Sequence, residues 1–184
     1  MKKLISVLVV MVLLLAACGQ PGADQDNNQP ETAPETEDTR TYTLEQYLHI
    51  EMGSSYDEVA AILGSGGEAT VDNERLKQYM WQNEDDSNIS VNFYDNIVTG
   101  KSQAYLGPYL EGKDAVTLNE FDQVSEGMSL DEVSNILGPG TERMRAITDG
   151  EEKIILGWDN SDGSGIGITF MDGKVMEKSS LMLD

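Results

Sequence analysis

The sequence contains very few of the side chains from which reactive or redox-active sites are built. Its 184 residues include one cysteine, Cys18, and one histidine, His49. A single cysteine forms no internal disulfide, so stability must come from an apolar core. His49 is the only histidine available to a Ser-His-Asp triad, and the sequence contains no nucleophile elbow and no spacing typical of metal ligands. The sequence therefore predicts a protein that is not an enzyme and that has no metal site and no cofactor.

Positive charge is also scarce. The chain has 12 Lys and Arg residues against 33 Asp and Glu residues, which gives a formal net charge of −21 at pH 7. Such a field repels nucleic acid and anionic lipid head groups, and it favours solubility and cationic partners. We therefore predict no nucleic-acid partner.

Long apolar runs are absent except at the N-terminus. Residues 4–15 are almost continuously apolar, but a helix that spans a membrane needs about 20 such residues. Lys2 and Lys3 precede the run, and the tetrapeptide Leu-Ala-Ala-Cys ends it at Cys18. This combination is typical of an export signal. The ending resembles the lipobox of bacterial lipoproteins, which implies a signal peptide over residues 1–17 and a palmitate-type lipid on Cys18.

The segment that follows is polar and acidic. Residues 18–40 consist largely of Gln, Asn, Asp, Glu, Thr and Pro, with almost no apolar side chain. Such a composition buries too little surface to offset the entropy lost on ordering. We therefore predict that the lipidated cysteine is followed by a disordered acidic tether, which separates the folded part from the membrane.

The rest of the chain contains an internal duplication. Residues 43–68 align with residues 117–142 at an offset of 74, with 12 identities in 26 positions. Residues 81–102 align with residues 158–179 at an offset of 77, with 10 identities in 22 positions. Ordered matches of this density indicate a repeated unit. The predicted parts are a first repeat over residues 41–104, a linker over 105–116 and a second repeat over 117–184.

Each repeat begins with signals for two short helices. Thr43-x-x-Gln46 and Ser55-x-x-Glu58 are typical capping boxes. Apolar residues follow at helical spacing, and Gly64 is placed to end the second helix. The second repeat has the same pattern 74 residues later.

The later part of each repeat changes to an alternating pattern. The motif Ile-x-Val/Ile-x-Phe places three apolar side chains on one face of a strand, and Asp95-Asn96 or Asp172-Gly173 follows as a tight hairpin turn. Tryptophan-bearing strands precede these motifs and returning strands follow them. We therefore predict an α+β fold of two tandem repeats, each with two short helices packed on a three- to four-stranded antiparallel sheet whose other face is open.

One motif resembles a known family. Residues 127–138 read Gly-Met-Ser-x-Asp-Glu-Val-x-x-Ile-Leu-Gly, and the counterpart lies 74 residues earlier. A motif of this kind, followed by a meander sheet, resembles the β-lactamase-inhibitor-protein-like (BLIP-like) fold. The tandem arrangement is similar to BLIP-like lipoproteins of Gram-positive bacteria and, more distantly, to the SmpA/OmlA (BamE-like) outer-membrane lipoproteins.

The resemblance implies a set of partner-binding residues. In the inhibitors, a concave sheet binds the target enzyme and an aspartate in a hairpin turn enters its active site. Asp95 and Asp172 match this aspartate by position. On the predicted open sheet face, Met80, Tyr94 and Met171 are the further candidates for partner contact.

These observations predict a non-enzymatic cell-surface lipoprotein whose tandem module binds an envelope protein, as an inhibitor or as a scaffold. One alternative is a structural or assembly accessory of an envelope complex. Another is a protein that binds a small ligand or wall glycan in a cleft walled by Tyr105, Pro108 and Tyr109. Lipid on Cys18 implies attachment to the extracytoplasmic face of the cell membrane, with a Gram-positive host favoured and an outer-membrane location still open.

Overall fold

A computed structural model describes residues 41–183 of the chain. The predicted signal peptide, the lipidated Cys18 and the tether lie outside these residues and stay predictions. Within the described part, the structure has four short α-helices and eight strands. The helices are α1 (Leu44–His49), α2 (Tyr56–Leu63), α3 (Leu118–Gln123) and α4 (Leu130–Leu137). The strands are β1 (Glu68–Asp72), β2 (Leu76–Gln82), β3 (Asn88–Tyr94), β4 (Ile97–Ala104), β5 (Thr141–Thr148), β6 (Glu151–Asp159), β7 (Gly165–Met171) and β8 (Lys174–Leu181).

All four α-helices begin with a capping box, as the sequence predicts. In α2, the Ser55 hydroxyl accepts the N–H of Glu58, and the Glu58 carboxylate accepts the N–H of Ser55 at 2.8 Å. The same reciprocal pair is present in α1, α3 and α4. Two donors that would otherwise lack a partner are thus satisfied at each start, which is why helices of only six to eight residues form here.

The predicted fold class is wrong in its central feature. Instead of two separate sheets, the eight strands form one antiparallel sheet in the order β1 to β8. Strands account for 44% of the described residues and helices for 22%. The two halves merge because β4 pairs with β5, through Gly100 with Ala146, Lys101 with Arg145 and Ser102 with Met144.

The reason for the error lies in β5. Its sequence, Thr-Glu-Arg-Met-Arg-Ala-Ile-Thr, has polar and charged residues where an alternating strand would show apolar ones. A strand with so little apolar patterning is recognised only from its neighbours. All five residues of β1, with the sequence Glu-Ala-Thr-Val-Asp, are exposed, so this strand also lacks the alternation that would predict it.

The helices cover one face of the sheet and leave the other free of them. Ile89, Val91 and Phe93 of β3 are at most 1% exposed and pack with residues of α1 and α2. The corresponding residues of β7 pack with α4 in a second cluster. Trp81 and Trp158 are each 1% exposed and donate from Nε1 to the carbonyls of Ser65 and Gly138.

A largely buried cluster of three charged side chains and one tyrosine joins the two halves on the helix-covered face. We call it the junction network; its members are Tyr47, Lys101, Glu142 and Arg145. Lys101 Nζ donates to the carbonyls of Tyr47 (3.0 Å) and Ile50 (2.8 Å) and lies 3.5 Å from Glu142 Oε1. The Tyr47 hydroxyl donates to the same carboxylate at 3.1 Å. Arg145 donates to the other carboxylate oxygen of Glu142, Oε2, at 2.8 Å.

Burial decides the protonation behaviour of this network. It lowers the pKa of Lys101, although the nearby Glu142 carboxylate opposes the change. Burial and the charge on Glu142 both raise the pKa of the Tyr47 phenol. A covered ammonium and a covered carboxylate are tolerable together because each supplies the other's counter-charge.

Candidate functional site

The open sheet face consists mainly of small and polar side chains. Strand register places one row of partly exposed residues straight across the sheet: Met80, Ser90, Ser102, Met144, Ile155 and Thr169. A parallel row is formed by Gln78, Asn92, Gly100, Ala146, Lys153 and Met171. The face is therefore a shallow surface with apolar points at its methionines and Ile155. The placement of Met80 and Met171 on this face agrees with the sequence pattern.

A more prominent surface forms at the β3–β4 turn. Asp95 (φ 50°) and Asn96 (φ 65°) form the tight turn that the sequence predicts. The Asp95 carboxylate accepts from Arg75 Nε at 2.9 Å and also pairs with the second guanidinium nitrogen. Hydrogen bonding to Arg75 lowers the pKa of Asp95. Arg75 Cζ also lies 4.4 Å from the centroid of the Tyr94 ring.

Two aliphatic residues complete this surface. Leu76 and Ile97 flank Tyr94 in the strand register and are 42% and 48% exposed, while Tyr94 is 44% exposed. We call this surface the turn patch; its members are Arg75, Leu76, Tyr94, Asp95 and Ile97. The sequence identified Tyr94 and Asp95 but missed Arg75, because the approach of the β1–β2 turn to the β3–β4 turn depends on strand order.

Asp172 has a different local role. It adopts a φ of 47° in the β7–β8 turn, and its Oδ1 accepts the backbone N–H of Glu152 at 2.9 Å. Its own N–H donates to the carbonyl of Glu152. Asp172 thereby attaches the β7–β8 turn to the start of β6, and its candidate role in partner binding stays a prediction.

The predicted contact residues do not form one compact site. Met80 lies on β2 and Met171 on β7, and five strand spacings of about 4.8 Å separate them by roughly 24 Å. Tyr94 and Asp95 lie near Met80's end of the sheet, at the turn. A partner that contacts all of them must cover most of the open face.

The linker forms a cleft on that face at the ends of the strands away from the turn patch. Leu110 N–H donates to the carbonyl of Asp159 at 2.7 Å and holds the linker beside β6. A cavity of about 440 Å³ results, lined by Gln103, Ala104, Tyr105, Gly107, Tyr109, Thr141, Arg143, Asp159, Asn160, Gly163, Ser164 and Leu181. Tyr105, Tyr109 and Leu181 are 69%, 55% and 60% exposed. Two of the three residues predicted as a cleft wall, Tyr105 and Tyr109, thus line an actual cleft.

An ion pair forms part of the cleft floor. Arg143 pairs with Asp159, and its guanidinium occupies the space beside Gly157, where an added Cβ would fall 1.9 Å from Nε. The side chains of the pair are 38% and 42% exposed. This pair could not be predicted from the sequence, because Arg143 occupies a bulge in β5.

Residues 41–183 contain no group of three or more His, Cys, Asp or Glu residues arranged to hold a metal ion. Among the helices of that range, none combines the length and apolarity needed to cross a membrane.

Comparisons with known proteins agree with the fold described above. The family model for the beta-lactamase inhibitor (BLIP) matches residues 43–148 and 117–184. A similar solved structure is that of a proposed β-lactamase inhibitor protein from Streptococcus mutans. It is 18% identical, with a TM-score of 0.56, and the match covers 75% of this chain and 88% of that one. At this identity the likeness concerns the fold alone. No curated protein sequence matches the chain, and the more distant resemblance to BamE-like proteins stays a prediction.

Proposed function

This chain belongs to the beta-lactamase inhibitor (BLIP) family, and from that premise we propose that it is a non-enzymatic lipoprotein whose open sheet face binds an envelope protein. The observation that carries the proposal is the turn patch. Tyrosine and arginine are, with tryptophan, the residues most enriched at the energetic centres of protein interfaces. Here Tyr94 and Arg75 lie in contact and are flanked by two exposed aliphatic side chains.

The mode of binding follows from the state of Asp95. Its carboxylate is already engaged by the Arg75 guanidinium at two positions. Insertion of Asp95 alone into a partner's active site has to break that pair, so the geometry favours contact through the whole turn patch. Inhibition of a β-lactamase is the first activity to test, because the solved relative is itself proposed to be such an inhibitor.

Attachment at the cell surface is part of the same proposal. The lipobox places lipid on Cys18, and two acyl chains give stable anchoring because each buried methylene contributes about 0.8 kcal/mol. An acidic tether over residues 18–40 then lets the open face reach a neighbouring protein on the extracytoplasmic side of the membrane.

The test uses the full chain, immobilised in detergent and exposed to membrane extract of the producing cells. We expect a dominant partner whose recovery falls at least about tenfold with Tyr94→Ala or Arg75→Ala, a typical loss for a central contact residue. Leu130→Ala is the matched control, since Leu130 is 40% exposed but lies on α4. Recovery that is equal for Tyr94→Ala and Leu130→Ala contradicts the proposal.

The cleft supports a second candidate function, the binding of a wall glycan. Aromatic rings beside charged hydrogen-bonding groups suit a sugar, and Tyr105 and Tyr109 border the Arg143–Asp159 pair in a cavity of about 440 Å³. Titration with soluble wall fragments is expected to shift the resonances of this cleft, and Tyr109→Ala to abolish the shifts. Unchanged spectra exclude this function without affecting the first.

A further inference from the structure

Strand β8 forms one edge of the sheet, whereas the equivalent strand of the first half, β4, lies in the centre. β4 and β8 occupy equivalent positions in the two halves, 77 residues apart, and both have a register shift at the same place, next to Phe93 and Phe170 respectively. β4 is an inner strand because β5 pairs with it. β8 is the last strand in the order, so its outer edge has no strand beside it in the described part of the chain.

At the β4 edge, the added strand brings a carboxylate to a buried ammonium. Lys101 is 5% exposed and points under the helices, where it donates to two carbonyls at the end of α1. Glu142 of β5 reaches it at 3.5 Å. Covering a buried ammonium without a counter-charge is strongly unfavourable, so β5 fits this edge because it carries Glu142.

The β8 edge presents an equivalent ammonium, which is only partly buried and has no carboxylate beside it. Lys178 aligns with Lys101 and donates to the carbonyl of Phe121, which aligns with Tyr47, at 2.8 Å. Its Nζ lies 4.2 Å from the Phe121 ring centroid, compared with 4.4 Å for Lys101 and Tyr47. Lys178 forms no salt bridge with any residue in the range 41–183.

We propose that the β8 edge is a binding site for an extended segment of a partner protein, which adds as a ninth antiparallel strand and places a Glu or Asp on Lys178. Backbone hydrogen bonds of the added strand supply affinity in this mode of recognition. The carboxylate supplies selectivity, because a strand without one covers the Lys178 ammonium and leaves it unpaired.

Charge also defines the residues that flank the carboxylate. Glu177 precedes Lys178 in β8, and the chain as a whole has a net charge of −21. A segment with cationic residues beside its carboxylate is therefore preferred. β5 itself has this composition, with Arg143 and Arg145 after Glu142, and it is the strand that the equivalent edge accepts.

A second copy of the chain is a poorer occupant. Its β1 carries Glu68 at the position that aligns with Glu142, but the same register places Asp72 opposite Glu177. Like charges in directly opposed positions destabilise strand pairing unless they share a counter-charge, as Lys101 and Arg145 share Glu142 where β4 pairs with β5. Each copy also carries the same large negative charge. All five residues of β1 are exposed, so the β1 edge is accessible to the β8 edge of a second copy. Sedimentation measures any self-association of this kind.

The test uses the chain's own β5 sequence as the probe strand. A synthetic peptide of residues 140–148, Gly-Thr-Glu-Arg-Met-Arg-Ala-Ile-Thr, and the same peptide with Glu142→Gln are titrated onto the full chain in detergent. We expect the glutamate peptide to bind at least about tenfold more tightly, because only it pairs with the covered lysine. Hydrogen exchange is expected to show new protection in β8 and none in β1.

Protein variants separate a selective edge from simple charge attraction. In Lys178→Met, the preference for the glutamate peptide is expected to fall to within about twofold, since the covered charge is gone. Lys174→Met removes the same charge from an exposed position in β8 and is expected to leave the preference intact. Circular dichroism checks that each variant is folded, and the two peptides on the unchanged chain test the proposal where a variant is not.

Several results overturn the inference. These are no binding of either peptide, equal binding of both peptides to the unchanged chain, protection located in β1 or on the open face, and a preference that survives Lys178→Met. Sedimentation without peptide addresses the second copy: oligomers that disappear in Lys178→Met identify a copy of this chain as the occupant and reject a foreign strand. Tyr94→Ala is expected to have no effect on peptide binding, so this inference and the proposed function fail independently.

Discussion

Single residues decide how closely the helices approach the sheet in each half. Gly67 and Gly140 follow α2 and α4 and lie against the buried tryptophans. An added Cβ at Gly140 would fall 2.6 Å from the Trp158 ring, and one at Gly67 would fall 2.8 Å from the Trp81 ring. Each half of the sheet therefore has a buried indole packed directly on the backbone of a glycine, although at the offset of 74 Gly140 aligns with Gly66 and not with Gly67.

This contact gives a prediction for Gly140→Ala. The methyl group has to displace a fully buried indole, and overpacking of this kind costs about 1–3 kcal/mol. We expect a lower midpoint of thermal unfolding, measured by calorimetry. Gly100→Ala is the matched control on the open face, where the nearest atom lies at 3.3 Å. Equal losses for the two variants contradict the tight contact at Trp158.

The junction network gives a second residue-scale prediction. Glu142→Gln removes the counter-charge of the buried Lys101 and is expected to reduce the free energy of unfolding by about 3–5 kcal/mol. The double variant with Lys101→Met is expected to lose less than Glu142→Gln alone, because no ammonium is then left unpaired. Denaturant titration of the unchanged chain, the two single variants and the double variant measures this coupling. Additive losses would show that the two side chains act separately.

At the scale of elements, the helices are determined locally and the sheet is not. Each capping box combines a hydroxyl and a carboxyl or amide group three residues apart, so its structure follows from a few neighbouring residues. The pKa values of Glu58 and Glu132 are lowered by hydrogen bonds from the backbone and hydroxyl of Ser55 and Ser129. The capping boxes therefore stabilise the fold most when these carboxylates are ionised.

The sign of the pH effect follows from that lowering. A carboxylate whose pKa is lower in the folded state contributes stability above its ordinary pKa, and the contribution is lost as pH falls through the folded value. We expect the thermal midpoint to fall as the solution is acidified below about pH 5. The combined Glu58→Gln and Glu132→Gln exchange is expected to flatten this fall, because glutamine still caps α1 at Gln46.

A control separates capping from net charge. Glu74→Gln removes one negative charge from the β1–β2 turn and is expected to leave the slope of midpoint against pH nearly unchanged. If the slope changes as much per charge removed with Glu74→Gln as with the combined capping exchange, general repulsion, and not capping, sets the acid response. Asp95 and Asp162, whose pKa values are also lowered by hydrogen bonds, are expected to contribute to the remaining slope.

At the scale of the whole molecule, the folded part is one sheet, and its predicted attachment to the membrane depends on a residue outside that sheet, Cys18. We expect Cys18→Ala to move the protein from the membrane fraction to the soluble fraction, since lipid on this residue is the predicted anchor. Fractionation followed by immunoblotting measures the distribution. If the protein requires its position beside a membrane complex, function is lost in this variant although the folded part is unchanged, whereas a binder of a soluble partner retains its affinity.

The sequence alone determined the helix starts, the hairpin turns, the buried face of β3 and β7 and the family resemblance. All of these depend on residues close together in the chain or on side-chain alternation along one strand. Tertiary structure alone decided that β4 pairs with β5, that Arg75 binds Asp95 and that the linker walls a cleft. These contacts join segments about 20 to 50 residues apart, where the gain from pairing depends on the position of every intervening strand. The fully exposed β1 and the charged β5 show the reason most clearly, because a strand without apolar alternation is specified by its neighbours and not by its own sequence.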